Sequence, residues 1–366
     1  VIAVCTGTGC NAYGAANVVG AFQEELEKQG LSDQVELRPT GCHGFCERGT
    51  LVLFHPEGVL YQRIKPEDVA EIVEQTVKGG EYLEKHFYEH PVTGEKYKYE
   101  QDIPFYKHQQ RLILGKNGEI DPTAIDDYIA LGGYGALVKA FDMGGDAVLD
   151  EVKKATLRGR GGGGFAAGRK WETCRNAPAD KRYVVCNADE GDPGAFMDRS
   201  ILEGNPQSVI EGMIIGAYTI GSDEGYVYVR HEYPLAVERL GIALEQAREK
   251  GFLGENILGN GFRFDIKISR GGGAFVCGES TALMASIEGK VGEPRAKHIH
   301  TVVSGLNDKP TNLNNVETWA NVPLIVEKGS DWYTSIGTKG SPGTKIFSLV
   351  GKVNNTGLVE AAMGMT

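Results

Sequence analysis

Apolar and polar positions along this chain follow two periods, and the change from one to the other divides it. Residues 15–29 set Val18, Val19, Phe22 and Leu26 at helical spacing, with Glu24, Glu25, Glu27 and Lys28 between them. Residues 1–4, 35–37, 51–54 and 59–64 are short β-prone runs. Pro66 then opens a helix with Val69, Ile72, Val73 and Val77 on one face. The predicted order β-α-β-β-β-α is compatible with a thioredoxin-like layer. Residues 81–120 lose this regularity. Tyr82, His86, Phe87, Tyr88, His90, Tyr97 and Tyr99 make a polar-aromatic stretch that reads as a connector lying on the next domain.

From Asp121-Pro122 onward, helical and strand patterns alternate. Ile125, Tyr128, Ile129 and Leu131 share a helical face, and residues 148–157 are helix-like. A buried β run at 183–186 precedes a helix carrying Val209, Met213, Ile214 and Ala217. A strand is expected at 225–231, a helix at 235–250, and a strand through Phe262, Phe264, Ile266 and Ile268. This alternation predicts a Rossmann-like, largely parallel sheet.

Composition narrows the classes. At 366 residues the chain is too long for one ordinary domain, and 41% apolar with 24% charged residues is globular. A net charge of −11 argues against nucleic acid, whose binding rests on Lys and Arg neutralising phosphates. No apolar run approaches the ~20 residues of a membrane span, and the first residues carry no secretory pattern, so a cytoplasmic protein is expected. The 51 glycines are about twice the usual share and cluster at 159–164 and 271–273. Such clusters mark turns or places where backbone lies against a ligand.

Four of the seven cysteines fall close together: Cys5-x4-Cys10 and Cys42-x3-Cys46, each pair in a loop after a predicted strand. With an odd count, a disulfide framework is not expected. Four thiolates can hold zinc or an iron–sulfur cluster. Structural zinc favours tighter C-x2-C pairs, and the wider loops fit a flat two-iron cluster better. The pattern, with GCHGFCERG around the second pair, resembles the thioredoxin-like [2Fe-2S] ferredoxin domain over roughly residues 1–80.

The segment Arg158-Gly-Arg160-Gly-Gly-Gly-Gly-Phe165 runs on to Lys170 and Trp171. Its N–H groups could approach a phosphate or ring edge, with Arg160 and Lys170 supplying charge. It is neither a P-loop nor the G-x-G-x-x-G fingerprint, because no Lys-Ser/Thr follows and no strand precedes it. Asn187, Asp189, Glu190 and Asp192 follow the next β run, where α/β sheets bind ligands. Those carboxylates could accept hydrogen bonds from ribityl, ribose or flavin groups, or form an acidic surface loop. A second strand–glycine-loop–helix unit carries Phe275, Gly278, Glu279, Ser280 and Thr281, where a helix N-terminus could meet an anion. Asn312, Asn314 and Asn315 could cap, turn the chain, or read a flavin edge.

The strings GRGGGGF, KW, CNADEGDPG, DRSILEGNP, CGESTALMASIEG, KPT and NNVET resemble, over roughly residues 120–325, the FMN- and NADH-binding flavoprotein subunit of respiratory complex I. The diaphorase-type subunits of hydrogenases and NAD-dependent formate dehydrogenases are similar. The resemblance implies an α/β fold: a thioredoxin-like ferredoxin domain (1–80), a connector (81–120), a Rossmann-like FMN-binding domain (121–335) and the start of a small β-grasp-type domain (336–366). It implies that Gly159, Arg160, Gly161, Lys170, Asn187, Asp189, Glu190, Gly278, Glu279, Asn314 and Asn315 hold FMN. Phe165, Lys170, Asp192, Phe275 and Ser280 would face NAD(H) or NADP(H), with Phe165 against the adenine. Cys5, Cys10, Cys42 and Cys46 would ligate the [2Fe-2S] cluster.

By the same resemblance, hydride passes between nicotinamide and flavin, and single electrons leave through iron–sulfur clusters to partner subunits of a larger complex. A [4Fe-4S] cluster is expected in a C-terminal part beyond Thr366, the chain being read as a piece. Three residues depart from the family pattern: Asp192 for Glu, Phe275 for Tyr, and Ser280 for Glu. Loss of the last carboxylate removes repulsion of a 2′-phosphate, so NADPH is expected to be less strongly rejected. The competing readings are a non-catalytic electron-transfer or scaffold subunit, a zinc-stabilised regulatory module at 1–80, and a flavin-free enzyme using the glycine loop.

Overall fold

The first β-prone run forms strand β1 (Ile2–Cys5), whose side chains are all buried. In the computed structural model, which describes residues 1–296 and 298–366, β1 pairs in parallel with β2 (Leu37–Thr40), Cys5 opposite Thr40. On its other side it runs antiparallel to β3 (Val52–Phe54), which pairs with β4 (Val59–Tyr61). The strands lie in the order β2-β1-β3-β4, and the elements follow one another along the chain in the expected β-α-β-β-β-α order. The helix Ala15–Lys28 turns Ala15, Val18, Phe22 and Leu26 into the core. Further along, Val69–Ile72 runs into a wider helical turn, Val73–Lys78.

The chain divides into two units, and the first comprises Val1–Pro122 with Ile346–Ala361. The polar-aromatic stretch is therefore part of the first unit rather than a connector laid on the next. Tyr88, Ile103, Phe105 and Tyr106 are buried in one apolar cluster with Cys5, Cys10 and Phe45. Residues 346–361 return to this unit from far along the chain. The Glu360 carboxylate accepts N–H bonds from Leu112, Ile113 and Leu114 at 2.9–3.1 Å.

The second unit is built on four parallel strands: β5 (Tyr183–Ala188), β6 (Glu224–Arg230), β7 (Asp265–Gly271) and β8 (Thr311–Asn315). Their order is β8-β5-β6-β7, with Asn314 opposite Cys186 and Val227 opposite Ile268. β7 begins later than its alternation suggests, because Phe264 bridges back to Gly254 before the strand starts. The helix Pro206–Ile220 is buried all round apart from Tyr218, as a central helix should be. It lies so close to Val316–Lys328 that a Cβ on Gly212 would stand 2.1 Å from the Trp319 carbonyl oxygen. No described helix is long and apolar enough to cross a membrane.

Candidate functional site

The glycine segment follows the helix Gly145–Lys154 and folds back on itself. The Gly159 N–H donates to the Phe165 carbonyl at 2.9 Å, and Arg158 bridges Ala166. Gly162 and Gly164 take φ of 101° and 60°, a conformation that side chains disfavour. The loop presses on the end of β8, since a Cβ on Gly161 would lie 3.0 Å from Asn315 Cβ.

Between this loop and the C-terminal ends of β5 and β8 lies a cleft with about 580 Å³ of empty space, part of it open to solvent. Gly159, Gly161, Gly278 and Lys170 line it, with Asn187, Asn314 and Asn315. Phe165 and Ser280 stand on the same walls. Asn187 ties the two glycine segments together, its amide donating to the Gly278 carbonyl at 3.0 Å. Lys170 donates to the Leu313 carbonyl, and burial pushes its ammonium down to about 8. A lysine held in that state gains from an anion placed beside it. Asn314 Nδ2 is buried with no protein partner, a donor awaiting an acceptor. Bare backbone, a partly buried lysine and an unpartnered amide together fit a phosphate-bearing, ring-containing ligand such as FMN.

Other expected residues stand elsewhere. Arg160 is buried, but its guanidinium donates to the Pro342 carbonyl at 2.7 Å, to Tyr333 Oη at 3.1 Å and to the Arg158 carbonyl. It fastens the loop from behind, because protein oxygens rather than open space surround it. Glu190 accepts from the N–H groups of Asp198 and Arg199, both at 3.0 Å, and so caps the helix Met197–Gly204. Glu279 caps Ser280–Ile287 in the same way, accepting from the Thr281 and Ala282 N–H groups at 2.8 and 3.0 Å. The helix N-terminus expected to meet an anion is thus filled by the chain's own carboxylate. Asp189 is buried behind Gly278, whose added Cβ would lie 3.2 Å from its Oδ2, and burial raises its carboxyl to about 6. Asp192 is exposed, and the largely exposed Phe275 ring lies over Gly191.

Thr318 and Leu313 also line the cleft, although nothing in their residue type marks them; both lie in or beside the distinctive strings. Thr318 Oγ1 accepts from the Arg160 N–H at 2.9 Å. Asp198, equally unmarked, accepts from Asn315 Nδ2 at 2.6 Å, and burial holds its carboxyl well above the usual range.

In the first unit the four cysteines of the two pairs come together. Cys42 Sγ and Cys46 Sγ are 3.6 Å apart, close to the ~3.8 Å that two thiolates take on one tetrahedral metal. The Cys5 thiol meets those of Cys10 and Cys42. The four thiols thus form one connected set, as a four-thiolate iron–sulfur cluster needs. Small residues make the cradle: added Cβ atoms would stand 3.0 Å from Cys42 Cβ at Gly7 and 2.9 Å from Cys10 Sγ at Gly49. The Gly44 N–H points at Cys42 Sγ from 3.4 Å. Burial pushes His43 down to about 3, so the ring beside Cys42 is neutral. Cys174, Cys186 and Cys277 are free and buried in the second unit, and burial pushes Cys174 up to about 12.

Residues 152–324 match the Nuo51 FMN-binding domain, and residues 1–77 match the thioredoxin-like [2Fe-2S] ferredoxin. Over 260 residues the chain is 55% identical to HndC of the NADP-reducing hydrogenase of Solidesulfovibrio fructosivorans, covering 71% of this chain and 53% of that one. Over 243 residues it is 50% identical to the F component of the NADH-quinone oxidoreductase of Aquifex aeolicus, covering 66% and 57%. Over 365 residues it is 36% identical to the alpha component of the NAD-reducing hydrogenase HoxS of Cupriavidus necator, covering 98% and 59%. A crystal structure of an NAD+-reducing [NiFe]-hydrogenase in the H2-reduced state superposes on the whole chain with a TM-score of 0.61 at 28% identity, covering 58% of that chain. The chain spans between about half and three-fifths of the length of these relatives.

Proposed function

Residues 152–324 belong to the Nuo51 FMN-binding domain family and residues 1–77 to the thioredoxin-like [2Fe-2S] ferredoxins, and from that premise we propose that the chain is the FMN- and cluster-bearing subunit of an NAD(P)H-oxidising complex. The observation that carries the reading is the cleft at the ends of β5 and β8, walled by two glycine segments and holding Lys170. FMN bound there supplies the exchange of a hydride with the nicotinamide and its release as single electrons. The four thiolates hold a [2Fe-2S] cluster, which supplies a one-electron relay.

The chain's own part is to bind, orient and polarise. Lys170 offers its charge to a phosphate, and the glycines let backbone N–H groups approach. Asn314 donates its free amide to a ring or ribityl oxygen. Phe165 presents a half-exposed ring on which an adenine stacks. Ser280 stands in the cleft wall without a carboxylate, so a 2′-phosphate meets no like charge from that position. NADPH is therefore a substrate alongside NADH, a reading supported by the name of the NADP-reducing hydrogenase to which HndC belongs. Electrons leave to further iron–sulfur and catalytic subunits, as the names of the hydrogenase and quinone oxidoreductase relatives suggest. A cytoplasmic location fits seven cysteines with no disulfide among them.

The reading is tested by reconstituting the chain with FMN and following dye reduction by NADH and NADPH. Turnover with both supports it. Tight FMN binding without turnover would support a scaffold role instead.

A further inference from the structure

Tyr106 is 6% exposed, and its hydroxyl has no hydrogen-bond partner in the protein. An orphaned buried hydroxyl costs free energy unless something accepts from it. Its surroundings narrow what that is. Tyr106 shares an apolar cluster with Cys5, Cys10 and Phe45. Phe45, between Cys42 and Cys46, meets the Tyr106 ring edge-on at 5.9 Å and stacks on Phe105 at 4.1 Å. Around the hydroxyl, Glu100 and Arg111 are the stronger electrostatic neighbours, and Cys5 and Cys42 follow.

The ring is also held in place. The Arg111 guanidinium sits over it, 5.3 Å from the centroid, and donates to the His43 carbonyl at 3.0 Å. The backbone just after Arg111 is fixed by the Glu360 carboxylate. Three separated segments therefore converge to hold one unpartnered O–H in the buried cluster that contains Cys5 and Cys10.

We propose that Tyr106 is a positioning residue for the iron–sulfur centre, its hydroxyl donating a hydrogen bond to a sulfur of the cluster and raising the cluster's reduction potential. The inference rests on the [2Fe-2S] reading of the four cysteines. The reduced cluster carries one more negative charge than the oxidised one, so a donor to sulfur favours the reduced form. The aromatic segment that supplies Tyr106 lies outside the 1–77 ferredoxin match.

The test is Tyr106→Phe in the full chain carrying its cluster, which keeps the ring and removes only the oxygen. An anaerobic redox titration followed by electron paramagnetic resonance reads the midpoint potential. The expected result is a fall in the reduced-to-oxidised ratio at fixed potential of up to tenfold, or about 59 mV for a one-electron couple. Electron–nuclear double resonance of the reduced wild type in H2O and D2O should show an exchangeable proton coupling that the variant lacks. An unchanged potential with all exchangeable couplings retained would overturn the proposal, as would a hydroxyl coupling absent from the wild type. Iron and sulfide analysis is run alongside. Wild-type chain lacking two irons and two sulfides would overturn the cluster reading itself, and the proposal with it.

Discussion

Arg111 donates from its guanidinium to the carbonyl of His43, the residue after Cys42, across 68 positions of sequence. The bond joins the loop that carries the second cysteine pair to a segment that the pattern of the chain marks only as polar-aromatic. Arg111 also donates to the Leu114 carbonyl and covers the Tyr106 ring. The contacts of the second cysteine loop thus extend past residues 1–77.

Glu360 anchors that arrangement, because its buried carboxylate accepts from three successive backbone N–H groups. Glu360→Gln turns an acceptor into a partial donor facing those groups. It should destabilise the full chain by about 2–4 kcal/mol in urea, since charge-assisted bonds are the stronger ones. Loss of visible cluster absorption is expected to coincide with the earlier transition. Stability within error of wild type would show that the carboxylate contributes nothing there.

Lys170 should take up a proton when FMN binds. Without a ligand beside it its ammonium is pushed down to about 8, so near pH 8 roughly half the population is neutral. A phosphate next to it moves that value back towards the usual 10.5, and protonation follows. Calorimetry of FMN binding in buffers of different ionisation enthalpy should show net uptake near pH 8. The uptake should fade below about pH 7 and vanish in Lys170→Met.

Asp189 makes a prediction for the FMN-free chain. Its carboxyl is raised from 3.8 to about 6 by burial, so the ionised form is disfavoured in the fold. Its contribution is complete below pH 3.8 and is lost as pH rises through 6. Asp189→Asn should therefore exceed wild type in stability at about pH 7.5 by roughly 1–3 kcal/mol, the gap closing as pH falls toward about 4. A gap independent of pH across that range would contradict the assigned burial.

Ser280→Glu restores a carboxylate to the cleft wall. It should lower kcat/KM for NADPH by at least about tenfold, the cost of roughly 1.4 kcal/mol of like-charge repulsion, and leave NADH nearly unchanged. Equal losses with both nucleotides would mean that position 280 does not face the 2′ oxygen.

Periodicity made much of this protein legible in its sequence. The helix Ala15–Lys28 and strands β1, β5 and β6 follow from local patterns, because each buries one face or a whole short run. The two cysteine pairs and the glycine segment stood out because their residue types have few other uses at that density. Glu190 and Glu279 did not reveal their geometry. A carboxylate before a helix looks the same whether it turns to a ligand or to its own N–H groups, although Glu279 ahead of Ser-Thr-Ala carries a capping signal. Arg160 is similar: its charge suggested an anion, but the Pro342 carbonyl that it meets lies 182 positions away. The stacking of Phe45 on Phe105 and the return of Glu360 are non-local pairings that no short window contains.

The central claim, that nicotinamide, flavin and cluster work as one chain of carriers, is tested most directly by anaerobic absorption spectra of the FMN-reconstituted protein before and after NADH, repeated with NADPH. Flavin and iron–sulfur bands should both bleach with either nucleotide. Bands that are present and stay unbleached with both nucleotides would contradict it.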